Sequence, residues 1–263
     1  MTGSGITWSV FTKAWKTMPI PELGAFVKKL GFDAIELPVR PKFQVEPANV
    51  AKDLPAAAKT LASLGVKIAS ISGPLDEATF AACAEAGVHI NRLCEYTGGK
   101  SYLAAEKEII AKYKAVEPLC LKYGVTIGLQ NHCDDYVANS TQQLRICEKF
   151  KPAVVGAVYD AAHNALNGEW PEQAFDMLWP HLCMVNLKNA YWRRKNGYEA
   201  PVAEYEYWWT TGRQGLAHWP KIVGELKKRN YSGVVCITAE YSDEPAVDRL
   251  IAEDVAFAKS LFA

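Results

Sequence analysis

Short runs of apolar and β-branched residues recur along the chain, at residues 6–11, 33–37, 66–72, 88–94, 126–130, 154–159, 182–187 and 233–238. Their starts fall 22 to 38 residues apart, except for a last step of 51. That spacing suits a strand, a crossover helix and two loops. Between the runs, the apolar positions change to the helical period. Leu23, Phe26, Val27 and Leu30 form one stripe behind Pro19 and Pro21, and Gly31 stands where a helix would close. Leu54, Ala57, Ala58, Leu61 and Leu64 repeat it before Gly65. Ile109, Tyr113, Val116, Cys120 and Tyr123 do so before Gly124, with Pro118 expected to kink that helix. Ser140 or Thr141 is the expected cap of a helix bearing Leu144, Cys147 and Phe150. Ile222, Val223, Leu226 and Tyr231 make the last crossover, and residues 247–262 a closing helix.

Eight strand–helix units without a linker or a break in composition predict a (β/α)8 TIM barrel, one domain over residues 1–263. An open doubly wound sheet is the alternative. It would carry a glycine-rich turn after its first strand, and residues 6–16 have none.

Composition narrows the function. The 29 Lys and Arg residues balance 29 Asp and Glu, and 49% of the chain is hydrophobic. A neutral chain without a basic stripe is a poor partner for nucleic acid, because phosphate neutralisation dominates that affinity. No run approaches the roughly 20 apolar residues of a membrane span. Residues 1–9 lack the basic-then-apolar pattern of a secretory leader. Seven cysteines, an odd number without a CxxC pair, read as reduced, buried thiols of a cytoplasmic protein.

In a barrel of this kind the site lies where the strands end. Those ends carry Glu36, Glu95, Gln130 with His132, Asp160 followed by His163, Asn186 with Lys188, and Glu240. Period-two alternation puts Gln130 and His132 on one side of their strand, and Asn186 and Lys188 on one side of theirs. Trp8 and Trp15 are expected as pocket walls. Residues 191–215, rich in Trp, Tyr and Arg, read as a lid or as a contact in a homodimer. Arg193 or Arg194 would there hold a carboxylate or phosphate. Structural alternatives stay open: Asp160 and Glu240 as ion pairs with Lys188 or Arg193, and His132 and His163 as satisfied core histidines.

The stretches LGFDAIEL (30–37), LGVKIASISG (64–73), YGVTIGLQNH (123–132), VYDAAH (158–163), HLCMVNLKNA (181–190) and GRQGLAHWPKIVGELKKRNYSGVVCITAEY (212–241) resemble the sugar isomerase/epimerase superfamily of xylose isomerase-like barrels. The resemblance implies a divalent-metal site built from Glu, Asp, His and Glu on the fifth to eighth strands. Asp160 and Glu240 match. Gln130 stands where the pattern has Glu, and Asn186 where it has His. His163 matches a histidine that contacts substrate in many relatives, and Lys188 the lysine of the usual His-x-Lys segment.

In a complete site the metal chelates a carbonyl and an adjacent hydroxyl and stabilises the enediolate. Gln130 cannot take or give a proton at neutral pH, which disfavours an epimerase with two carboxylate bases. Glu240 remains as base, with His163 or His132 as general acid. One base with an electrophile suits aldose–ketose isomerisation, or β-elimination from a keto sugar. Amide oxygens ligate Mg²⁺, Mn²⁺ or Ca²⁺ acceptably and zinc poorly. Three outcomes follow: a weak Mg²⁺ or Mn²⁺ site on Asp160, Glu240, Gln130 and Asn186, a site reassembled with His132, or no metal and Lys188 as the electrophile. The expected substrate is a small carbohydrate held by His132, Glu95, Glu36, Trp8 and Arg193. A barrel that only binds a sugar is the competing reading. A DNA-repair endonuclease, which needs several zinc ions and a basic face, fits neither the five histidines nor the zero net charge.

Overall fold

Eight parallel strands close on themselves in chain order: β1 (Thr7–Phe11), β2 (Ala34–Pro38), β3 (Lys67–Ser72), β4 (Ile90–Cys94), β5 (Thr126–Gln130), β6 (Val155–Asp160), β7 (Leu182–Leu187) and β10 (Val234–Ile237), the last pairing with the first. The chain is thus a (β/α)8 barrel. These strands are the eight apolar runs, with ends within two residues of those expected. The computed structural model describes residues 5–263, so residues 1–4 of the expected leader-free stretch lie outside the described residues.

The connecting helices bury one stripe each. In α2 (Val50–Ser63), Val50, Leu54, Ala57 and Leu61 face the strands, and each fully buried leucine contributes about 1.5–3 kcal/mol. Helix α1 (Ile20–Lys29) precedes it, and α4 (Tyr102–Tyr123) continues through Pro118 to a left-handed Gly124. Helices α3 (Glu77–Ala86), α6 (Ala161–Leu166) and α7 (Pro171–Leu178) were not anticipated; α3 is alanine-rich with a weak stripe, and α6 is too short for one. The cap of α5 (Ser140–Cys147) is Asn139, not Ser140 or Thr141, because its side chain accepts the Gln142 N–H. Helices α8 (Trp219–Lys228) and α9 (Val247–Phe262) close the outer layer.

Inside the barrel, Phe11, Val158, Met184 and Cys236 form a small apolar plug. Gly128 makes room for it, since a Cβ there would stand 2.8 Å from a Val158 methyl. Toward the strand C-termini the inward positions turn polar, and the register sets Asp160 beside Asn186. The 51-residue step contains an antiparallel hairpin, β8 (Asn189–Arg194) and β9 (Tyr205–Thr210), paired from Asn189↔Thr210 to Arg194↔Tyr205. Among the described residues, no helix is long and apolar enough to cross a membrane.

Candidate active site

The polar inward positions open into a cavity of about 410 Å³ at the C-terminal mouth. Its wall includes Phe11, Lys13, Arg40, Ser72, Arg92, Cys94, Gln130, His132, Tyr136, His163, Lys188 and Glu240. Strand alternation brings two pairs to this wall, Arg92 with Cys94 and Gln130 with His132, each separated by two residues, and puts Asn186, beneath it, on the side of Lys188.

Asp160, fully buried, anchors a chain of hydrogen bonds. One carboxylate oxygen, Oδ1, accepts the backbone N–H groups of Ala162 (3.1 Å) and His163 (3.2 Å), capping α6. The other accepts Gln130 Nε2 at 2.8 Å, and Gln130 Oε1 in turn accepts Asn186 Nδ2 at 3.2 Å. The carboxylate fixes the Gln130 amide, and Gln130 fixes the Asn186 amide, leaving Asn186 Oδ1 without a partner. Burial raises the Asp160 carboxyl to about 6, against the pull of Lys188.

Lys188 and Glu240 form the charged pair on the wall. Lys188 Nζ donates to Glu240 Oε2 at 2.8 Å, and Lys13 Nζ to Oε1 at 2.7 Å. Burial opposes the charge on Glu240, but the two lysines outweigh it and hold the carboxyl well below its ordinary range. Lys188 is likewise opposed by burial, yet Glu240 and Asp160 raise its ammonium above the ordinary value. Its Nζ lies 3.6 Å from the centre of the Trp209 ring, a cation–π contact that fixes the side chain.

His163 is fully buried. Burial, then the charge of Lys188, holds its imidazole well below the usual value, so it is neutral at pH 7. Its Nδ1 accepts the Cys133 N–H at 3.1 Å, which places the single proton on Nε2. That N–H is itself buried and has no partner, so an unspent donor lies behind the cavity lining. His132 stacks on it, ring centres 4.0 Å apart.

Several expected binding residues lie elsewhere. Glu36 is sealed inside the barrel, where it accepts Arg92 Nε at 2.6 Å; it braces Arg92 instead of meeting the cavity. Glu95 follows Cys94 by one position and therefore points outward, taking Lys112 Nζ at 2.8 Å. Trp8 also points outward, edge-on to Phe262 of α9, and Trp15 donates to Asp248. Arg193 sits on the hairpin, stacked over Trp208 and paired with Glu206. The hairpin does reach the site through Trp209, which packs with Tyr207 against Cys133, Ala162, Leu166 and Ala190. Residues missed from the sequence are Lys13, Arg40, Arg92 and Tyr136. Parity could have found two of them, since Arg92 precedes Cys94 by two and Arg40 follows Glu36 by four.

The four metal-ring positions do not fit a hard cation. Both oxygens of Asp160 and both of Glu240 are engaged by donors, Gln130 presents its amide N–H to Asp160, and Asn186 Oδ1 is the one free acceptor. Mg²⁺ or Mn²⁺ asks for about six oxygens. Among the described residues, His132, Cys133 and His163 bring ligand-type atoms within 4.8 Å of one another. Their two imidazoles, however, are stacked at 31° and do not converge edge-on as zinc ligands do.

Residues 25–261 match the family model described as xylose isomerase-like TIM barrel. No curated protein sequence matches the chain. Among solved structures, the probable 3-DHS dehydratase AsbF of Bacillus anthracis superposes with a TM-score of 0.75 at 14% identity, over 96% of this chain and 98% of that one. D-psicose 3-epimerase of Clostridium cellulolyticum H10, solved with D-tagatose, gives 0.74 at 12% identity, over 97% and 99%. The IOLI protein, solved with a zinc atom, gives 0.71 at 17%, over 97% and 96%. At these identities the likeness is one of fold.

Proposed function

The chain belongs to the xylose isomerase-like TIM barrel family, and from that premise we propose that it is an isomerase or lyase that moves a proton from the carbon next to a sugar carbonyl. One observation carries this: on a single cavity wall a carboxylate, Glu240, is held 2.8 Å from a buried ammonium, Lys188, beside the free N–H of His163. These are a base and two donors for an oxyanion. The named neighbours include a probable dehydratase and a sugar epimerase, and proton removal next to a carbonyl serves both kinds of chemistry.

The ion pair gives the reaction its order. While Lys188 donates to Glu240, the carboxylate is a weak base. A substrate carbonyl entering the cavity competes for the Lys188 N–H. As that hydrogen bond transfers to the carbonyl oxygen, Glu240 loses part of its stabilisation and its basicity rises. Glu240 then takes the carbon-bound proton, and Lys188 with His163 Nε2–H stabilises the enediolate oxygen. Return of the proton to the neighbouring carbon, with the hydroxyl proton passing between the two substrate oxygens, completes an isomerisation; departure of a β-hydroxyl as water, with the proton that Glu240 took, completes an elimination. In this reading the Lys188 ammonium supplies the positive charge that the resemblance assigns to a metal. Gln130, an amide, supplies no second base, so the reading favours transfer on one face over epimerisation.

A barrel that only binds its sugar is the second reading, favoured by the engagement of both Glu240 oxygens by lysines. Incubation in D₂O with a panel of ketoses and keto sugars, followed by NMR, separates the two. The enzyme reading expects deuterium beside the carbonyl, or an elimination product, from at least one compound. Glu240→Gln and Lys188→Met should each abolish it. Exchange that survives Glu240→Gln rejects the assigned base; no exchange from any compound rejects the enzyme reading.

A further inference from the structure

The cavity carries more positive charge than its carboxylates neutralise. Lys13, Arg40, Arg92 and Lys188 all line it, while Glu240 is the one carboxylate on its wall among the described residues. Glu36, beneath the wall, is committed to Arg92, and Glu240 is shared by both lysines. Arg40 forms no ion pair among the described residues. Its one side-chain hydrogen bond goes to a neutral group, the Ser72 hydroxyl, at 2.7 Å. A guanidinium has five N–H donors, so most of the Arg40 donor capacity is unspent.

Arg40 is also held in place. Its backbone N–H donates to Val45 O at 3.1 Å, and Phe43 N–H returns to Arg40 O at 3.2 Å. A bridge between Val39 and Val45 closes the same turn. Burial, then the nearby Arg92, act against the Arg40 charge, and the more distant Glu36 and Glu240 offset them only in part. A positioned, partly buried guanidinium without a contact ion pair is a ready site for a bound anion.

Position in the ring gives the rest. Arg40 follows β2 and Ser72 ends β3, whereas His163, Lys188 and Glu240 follow β6, β7 and β10, strands that lie elsewhere around the closed barrel. We infer that the substrate is an anionic sugar, a sugar acid or a sugar phosphate, whose charged end is held by Arg40 and Ser72 while its carbonyl faces Lys188 and Glu240. The inference rests on the cavity being the substrate site, as in the proposed function. It moves the anion-holding role from Arg193, on the hairpin, to Arg40.

Calorimetric titration with matched probes tests it. D-glucitol, D-gluconate and D-glucitol 6-phosphate differ in the presence and kind of negative charge. One of the two anions should bind at least about tenfold more tightly than glucitol, the scale of a charge-assisted hydrogen-bond pair. Gluconate preference assigns a carboxylate, and phosphate-ester preference a phosphate. Arg40→Gln should erase the preference, Arg40→Lys should restore part of it, and Arg193→Gln, the same charge change outside the cavity, should leave it within about twofold. Equal affinity for all three probes, binding by neither anion, or a preference that survives Arg40→Gln overturns the inference. Should Arg40→Gln fail to fold, the wild-type comparison of the three probes still decides. Because the readout is binding, lost preference with intact deuterium exchange removes this inference alone. Preference without exchange removes the proton-transfer reading alone.

Discussion

Replacing Gln130 by glutamate should turn a silent position into a pH- and metal-sensitive one. In the wild type, Gln130 Nε2 donates to Asp160 Oδ2 at 2.8 Å, and both residues are buried. Gln130→Glu removes a charge-assisted hydrogen bond worth about 1.5–3 kcal/mol and sets two carboxylates at that spacing. With an effective dielectric of about 20, two like charges 2.8 Å apart repel by about 6 kcal/mol. The pair avoids this by sharing one proton, as closely placed carboxylates do. The shared proton, the second of the pair to leave, is then held well above the unfolded values near 4. A folded-state value raised in this way gives stability that is fully present below the unfolded value and is lost as pH rises through the folded one.

The variant should therefore match the wild type near pH 5 and fall behind it steadily toward pH 8, by about 3 kcal/mol or more. For a chain of this size that is roughly 6 °C in Tm, at about 2 °C per kcal/mol. Added Mn²⁺ should restore part of the loss at pH 8, because a divalent cation can sit between two carboxylates, and should do less for the wild type. Scanning calorimetry from pH 5 to 8, with EDTA or MnCl₂, measures all of this. If the two proteins show parallel Tm profiles, Gln130 does not hold Asp160 and the hydrogen-bonded chain is wrong.

Three further outcomes follow from the same contacts. Glu36→Gln leaves Arg92 charged and without its ion-pair partner inside the barrel, so urea unfolding should report a loss of about 3–5 kcal/mol, whereas Glu36→Met with Arg92→Met should recover most of it. His163 stays neutral in the fold, so its contribution is present above the unfolded value near 6.5 and is lost as pH falls below it, by up to about 1.4 kcal/mol per pH unit; His163→Gln should flatten the wild-type decline between pH 6.5 and 5, and parallel declines would refute this. Gly215→Ala would set a Cβ 2.1 Å from Asn189 Oδ1, the group that ties the hairpin base to Ala190 and Ala217, so limited proteolysis should cut residues 194–205 faster with the barrel intact.

Much of this architecture was legible because a parallel barrel buries its strands on both faces and so writes them as near-continuous apolar runs. Strands β5 and β7 matched residue for residue. Helix α3 escaped because an alanine-rich helix needs no strong stripe to pack, and α6 because it starts directly from the Asp160 cap. At the site, strand-end position told which residues reach the mouth but not which way they face. Glu95 sits at the right height and on the wrong side, one position out of phase with Cys94, and Trp8 is both out of phase with Phe11 and near the far end of β1. Glu36 is in phase but too deep, covered by Arg92 and Phe11. Lys13 lies in a short 3-10 helix (Thr12–Trp15) and Tyr136 in a loop, where neither strand nor α-helical period applies, and such geometry is set by tertiary contacts that a sequence pattern does not encode.

In the proposed function the Lys188 ammonium serves, beside the hydrogen-bonded Asp160, Gln130 and Asn186, where a metal ion would otherwise act. The direct measurement is the rate of deuterium exchange into a turned-over sugar by protein dialysed against EDTA, before and after addition of Mn²⁺ or Zn²⁺. The expected result is an exchange rate that chelation leaves unchanged and neither metal raises. Exchange that vanishes on chelation and returns with metal would contradict it.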